Sequence, residues 1–273
     1  MDEHADSALD VTALRTELAG VVAKLDVVER TGSTNADLLA AARSGAADRT
    51  VLVAELQEAG RGRLDRRWTS PSHAGLTFSV LLRPIGVPPS RWGWLPLLAG
   101  VSLVHTIRSL TTVDAALKWP NDLLLGPPHD RRKAAGLLAE VANGGDDPSV
   151  VLGIGLNVRT RADQLPDTAT SLAAQGADVP RAELLTALLR RLLADEAAWR
   201  EAGGDPDASG LRAAYRAACA TLGARVRIEL PGAERTLLAV AEDVDEDGRL
   251  VVREPNGVTR AVASGDVVHL RAV

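Results

Sequence analysis

Hydrophobic and polar positions follow two rhythms along this chain. Up to about residue 220, apolar runs of varied length alternate with polar breaks, and from Thr221 onward short, partly alternating stretches are separated by regular turn signals. In the first part, residues 11–25 carry a weak helical spacing and 26–30 read as a short strand. Ser33, Thr34 and Asn35 precede a helical run over 36–43 that Gly45 closes, with a hydroxyl cap at one end and a glycine stop at the other. Residues 50–56 and 75–83 predict strands, the second running into a proline-rich turn at 84–89. The apolar stretch 94–110 is too long for a strand and predicts a buried helix. Residues 115–125 predict a strand broken by a turn at Pro120. Two further strands, 133–141 and 149–158, flank the hairpin signal Asn143-Gly144-Gly145-Asp146. Residues 159–171 read as a loop. Leu184, Leu185, Leu188, Leu189, Leu192 and Leu193 then fall on one helical face, and a Gly/Asp/Pro segment at 203–210 separates them from a second helix at 211–220. Beyond 221, Val226, Ile228 and Leu230 alternate with Arg225, Arg227 and Glu229. Turn signals follow at Pro231-Gly232, Asp247-Gly248 and Asn256-Gly257. That pattern predicts a small β-barrel of about 50 residues.

Composition narrows the chemistry. Of 273 residues 46% are hydrophobic, yet Phe78 and Tyr215 stand alone against five tryptophans, so the core must be built from Ala, Leu and Val. The single cysteine, Cys219, excludes an internal disulfide framework and a cysteine-rich zinc site, and it fits a reducing compartment. The five histidines, His4, His73, His105, His129 and His269, include no pair at metal-ligand spacing, so no metal site is expected. A net charge of −5 argues against a broad nucleic-acid footprint. No apolar run approaches the roughly 20 residues of a membrane span, and the acidic N-terminus lacks the order of a signal peptide. The expectation is a soluble cytoplasmic protein with no DNA or membrane partner.

Three segments carry candidate chemistry. The run from Gly60 to Trp68 holds Arg61, Arg63, Arg66 and Arg67 around Asp65, a charge of +3 within an acidic chain, with glycines that let the backbone approach a ligand. Arginine forks match phosphate and carboxylate, so the run suits an anion site, although a solvated basic loop has the same composition. Lys118-Trp119-Pro120-Asn121-Asp122 ends an apolar strand with a lysine, which needs an anion if it faces inward and otherwise snorkels to solvent. Gly153-Ile154-Gly155-Leu156-Asn157 places glycines inside a strand, which marks either ligand approach or tight packing.

Taken together and in order, Gly32-Ser33-Thr34-Asn35, Gln57 with the run 60–68, Lys118 to Asp122, Lys133-Ala134-Ala135-Gly136 and the glycine strand at 153–158 resemble the biotin protein ligases, over about residues 25–270. The resemblance implies an α/β (α+β) fold: an N-terminal extension at 1–24, a mixed-sheet, class II synthetase-like catalytic domain at 25–220, and an SH3-like β-barrel at 221–273. It implies activation of biotin with Mg-ATP to biotinyl-5′-adenylate, then transfer to a lysine of a biotin carboxyl carrier protein. The extension is too short for the DNA-binding domain of bifunctional members, which implies the monofunctional type, as a monomer or weak homodimer. A lipoate or octanoate ligase or transferase is the related alternative.

The resemblance also assigns residues. Lys118 and Arg63 would be catalytic, neutralising the carboxylate and the α-phosphate. Ser33, Thr34, Asn35, Gln57, Gly60, Arg61, Gly62, Arg63, Lys118, Gly136, Gly153 and Gly155 would form the biotin site. Arg63, Arg66, Trp68, Lys118, Asn121 and Asn157 would hold ATP and the adenylate, with the loop 159–171 over the adenine. Mg²⁺ would ride on phosphate oxygens. Two positions depart from the family pattern: Asp65 stands where glycine is common in the arginine loop, and Ala134 where leucine is commoner.

Overall fold

The structure, a computed structural model, describes residues 8–63, 66–142, 148–229, 236–263 and 266–269. The predicted hairpin turn at 143–146, the Pro231-Gly232 turn and Asp65 lie outside the described residues. The chain opens with a short helix, α1 (Val11–Glu17), capped by the Asp10 carboxylate on the amides of Thr12 and Ala13. The predicted helix over 11–25 therefore stops early. Gly20 takes a left-handed φ of 77°, and the following residues extend into β1 (Lys24–Thr31). Then come α2 (Thr34–Arg43), β2 (Thr50–Gln57), the two-residue strands β3 (Gly60–Arg61) and β4 (Arg67–Trp68), and β5 (Gly75–Leu82). The buried helix is α3 (Trp94–Leu110). β6 (Ala115–Lys118), β7 (Asp122–Leu125), β8 (Arg132–Ala142) and β9 (Ser149–Asn157) follow it, and α4 (Arg181–Glu201) and α5 (Leu211–Ala218) close the first part.

Seven strands form one mixed sheet in the order β1-β2-β5-β9-β8-β7-β6. β1 and β2 are parallel, and the other neighbours are antiparallel. Alternation along each strand divides side chains between two faces. Phe78, Val80, Leu152 and Ile154 join the leucine faces of α3 and α4 in the main core. The opposite face takes Leu81 and Val151, which pack with Leu38 and Ala42 of α2 in a smaller cluster. α2 covers only part of that face, and the candidate site occupies the rest.

The C-terminal part corrects an expectation. β10 (Arg225–Glu229), β11 (Thr236–Val244), β12 (Leu250–Arg253), β13 (Thr259–Val262) and β14 (Asp266–His269) form an open five-stranded sheet in the order β13-β12-β11-β10-β14, not a closed barrel. Among the described residues β13 and β14 remain its two edges. The alternating pattern set which side is buried (Val226, Ile228, Ala241, Leu250 and Val252 are all buried), but closure depends on strand tilt and stagger that alternation does not encode. The sheet instead docks on the first part of the chain. The indoles of Trp94 and Trp119 donate to the carbonyls of Glu246 and Gly248 at 2.9 and 3.2 Å.

Candidate functional site

Strand register builds the site. Thr77, Gly155, Gly136, Asp122 and Lys118 are successive partners across β5, β9, β8, β7 and β6, forming one row across the sheet. Two residues along, on the same face, Ser79, Gly153 and Leu138 form a second row. The glycines leave this face without side chains where α2 and the arginine loop pass over it. The result is a cavity of about 230 Å³.

One end of the cavity is a polar cluster at the start of α2. Ser33 caps the helix, accepting from the Ala36 amide, so the helix begins at Thr34 rather than Ala36. Gln57 Oε1 accepts from the Thr34 amide and hydroxyl at 2.9 and 3.1 Å. Buried Ser79 places Oγ 2.7 Å from Thr34 Oγ1 and 2.6 Å from Asn35 Oδ1. Asn35 Nδ2 donates to Glu140 Oε2 at 2.6 Å and to the Leu138 carbonyl at 3.3 Å. A methyl on Gly153 would collide with the Asn35 amide.

The other end is cationic. Arg61, Arg63, Arg66, Arg67, Lys118 and Lys133 all line the cavity. Lys133 Nζ pairs with Asp122 Oδ1 at 2.6 Å. β3 and β4 pair Gly60 with Trp68 and Arg61 with Arg67, and this turns the arginine loop back on itself. The Trp68 indole rests over Gly155 and Gly136, and its Nε1 is buried without a hydrogen-bond partner among the described residues. The C-terminal sheet supplies part of the wall through Glu229, Val267 and Val268. Next to it, burial together with the charges of Lys118 and Arg131 holds the His269 imidazole down to about 4.

Of the expected site residues, Ser33, Thr34, Asn35, Gln57, Arg61, Gly62, Arg63, Arg66, Trp68, Lys118, Asn121, Gly136, Gly153 and Gly155 line this one cavity. Gly60 and Asn157 do not. Gly60 lies beneath Gln57 and the Trp68 carbonyl, where a Cβ would have no room. Asn157 is buried, and its Nδ2 donates to the Thr170 carbonyl at 3.0 Å, which ties the loop 159–171 to β9. The same loop is held to β8 where the Thr170 amide donates to the Lys133 carbonyl. Asn121 also lines the cavity, but its Nδ2 donates to the Leu137 carbonyl at 2.9 Å, bracing β8. Ala134, the other departure from the family pattern, is a fully buried core residue. Sequence reasoning missed Ser79, Glu140 and the Lys133–Asp122 pair. Ser79 and Glu140 meet Thr34 and Asn35 only because α2 packs over the sheet face, and Lys133 meets Asp122 only because β8 lies beside β7.

A mixed sheet carrying a polar pocket end over a glycine floor fits the biotin and lipoate ligase class. The family described as "Biotin/lipoate A/B protein ligase family" matches residues 27–157, and "Biotin protein ligase C terminal domain" matches 221–270. The chain is 45% identical over 271 residues to the biotin–acetyl-CoA-carboxylase ligase of Mycobacterium tuberculosis, covering 96% of each chain. It is 28% identical to a bifunctional ligase/repressor of Escherichia coli over 91% of this chain and 74% of that one. Among solved structures, the biotin protein ligase from Aquifex aeolicus in complex with biotin and ATP superposes with a TM-score of 0.73 at 27% identity, covering 92% of this chain and all of that one. The chain belongs to the biotin protein ligase family.

Proposed function

We propose that this protein activates biotin with Mg-ATP and transfers it to a lysine of a biotin carboxyl carrier protein. The observation that carries the reading is the joining, in one cavity, of a neutral hydrogen-bonding end and a cationic end over a side-chain-free floor. A ligand with an uncharged polar head and an anionic tail fits that gradient. Ser33, Thr34, Asn35 and Gln57 would hold the ureido head, and Ser79 and Glu140 orient them. Gly153, Gly155 and Gly136 would let the flat ligand lie on the sheet, while Gly60 leaves room for Gln57 and the arginine loop.

In the first step a biotin carboxylate oxygen attacks the α-phosphorus of ATP, and the bond to the β-phosphate oxygen breaks to release pyrophosphate. Both reactants are anionic. Lys118 and Arg63 would neutralise their repulsion and hold charge in the in-line transition state, with Arg61, Gly62 and Arg66 closing over the anions. Mg²⁺ belongs to the ATP. Phosphate oxygens and water would hold the ion, as is usual for Mg²⁺ bound with a nucleotide. In the second step the carrier amine, deprotonated, attacks the acyl carbon, and AMP leaves. Trp68 and the loop would keep water from the adenylate. Asn157 and Asn121 act through the loop 159–171 and β8 on the adenylate end.

We take the domain limits as 1–24, 25–220 and 221–273; family matches that begin at 27 and at 221 support the two starting points. The C-terminal match and the arginine loop favour biotin over lipoate or octanoate. No described helix is long and apolar enough to cross a membrane. The proposed setting is the cytoplasm and the proposed partner a carrier protein. The chain would work as a monomer or weak homodimer. Biotin-dependent exchange of pyrophosphate into ATP tests the activation step, and incorporation of labelled biotin into a carrier domain tests the transfer.

A further inference from the structure

Lys118 stands between two peptide groups that are both held from the segment joining α5 to β10. The Leu117 carbonyl accepts the Ala220 amide at 2.8 Å, and the Trp119 amide donates to Thr221 Oγ1 at 3.0 Å. Thr221 is fully buried. Its Oγ1 also lies 3.0 Å from His269 Nε2 on β14. A hydroxyl has one proton and two lone pairs. The Trp119 amide only donates, so it uses a lone pair of Thr221. Donation of the hydroxyl proton to His269 Nε2 gives it a buried acceptor. This arrangement requires a neutral imidazole carrying its proton on Nδ1.

We propose that Thr221 and His269 are positioning residues for Lys118, fixing the peptide that carries it. The proposal rests on the role given to Lys118 above. Neither residue belongs to the motifs that define the site, and neither lines the cavity. Both lie in the C-terminal part, whose Val267 and Val268 form cavity wall one and two residues before His269. The C-terminal sheet thereby reaches the activation step through two hydrogen bonds as well as through its wall. The depressed basicity of His269 agrees, since burial and the nearby Lys118 and Arg131 charges keep it neutral around pH 7. The arrangement also disfavours a charged imidazole beside the ammonium that must meet the anions.

The test compares Thr221→Val, which keeps the shape and removes the hydroxyl, with Thr221→Ser, which retains it. Misplacing a catalytic group by about 1 Å costs on the order of 100-fold in rate. Thr221→Val is therefore expected to lower kcat for biotin-dependent pyrophosphate exchange by about that factor, while Thr221→Ser recovers most of the rate. In a Lys118→Ala background Thr221→Val should add no further loss, because both act through one group. A folded Thr221→Val protein with wild-type kcat, or an undiminished extra loss in the Lys118→Ala background, overturns the proposal. If Thr221→Val does not fold, His269→Leu against His269→Gln carries the same comparison from an edge strand. A wild-type chain without exchange activity removes the ligase reading itself, whereas an active wild type indifferent to both substitutions removes only the positioning role.

Discussion

The Trp68 indole fills the space that a side chain at Gly155 would need, with its Cδ2 2.9 Å from the position of an added Cβ. Tryptophan and glycine are thus complementary halves of one surface, the loop's ring resting on the bare strand. Gly155→Ala should push the indole off β9 and cost about 1–3 kcal/mol of stability, the usual range for overpacking. Biotin affinity should fall with it, as measured by titration calorimetry beside thermal unfolding. Unchanged affinity and stability would mean that the indole is not seated on the floor.

Ser79 supplies a second test. It is fully buried between Thr34 and Asn35. Ser79→Ala leaves the Asn35 Oδ1 and the Thr34 hydroxyl short of a partner, at a cost of about 1–3 kcal/mol. Weaker biotin binding with ATP affinity retained is the expected pattern, because the serine orients the polar end alone. Equal loss of both affinities would show a general collapse of the site.

His269 gives a pH dependence. Its folded basicity is lowered from the ordinary 6.5 to about 4, first by burial and then by Lys118 and Arg131. The unfolded chain therefore binds more protons between those values, so this group's contribution is intact above about pH 6.5 and is lost as pH falls toward 4. In urea unfolding, the wild type should lose more stability than His269→Gln between pH 7 and pH 4.5, values that bracket most of that window. Parallel loss in both proteins would place the imidazole in solvent.

Much of the site was legible because its chemistry lies in short segments. The order of Ser33-Thr34-Asn35, Gln57, the arginine loop, Lys118 and the glycine strand carried the reading, and register then placed those segments side by side. Helix α3 was legible in full because seventeen residues from Trp94 to Leu110 admit no strand. What the sequence hid was relational. Glu140 meets Asn35 across 105 positions, and Thr221 meets Trp119 across 102, and no local pattern announces such pairs. Asn157 belonged to the right strand, but its side chain is turned to Thr170 rather than to the cavity. The barrel expectation failed for the same reason, since alternation in β10 to β14 specifies faces and leaves the pairing of edges open.

Lys118 lies at the end of the cross-sheet row, beyond Asp122. Lys118→Ala should lower adenylate formation by about 10²–10³, the cost of removing one charge-stabilising group from a transition state, with the thermal midpoint little changed because the side chain is only half-buried at a strand end. Single-turnover formation of biotinyl-adenylate measures this. A variant with near-normal adenylate synthesis would contradict the catalytic role given to Lys118.

The most direct measurement is isotope exchange between pyrophosphate and ATP by the wild-type chain. The account predicts exchange that requires biotin and Mg²⁺ and is not supported by lipoate. Absence of biotin-dependent exchange, or equal exchange with lipoate, would contradict it.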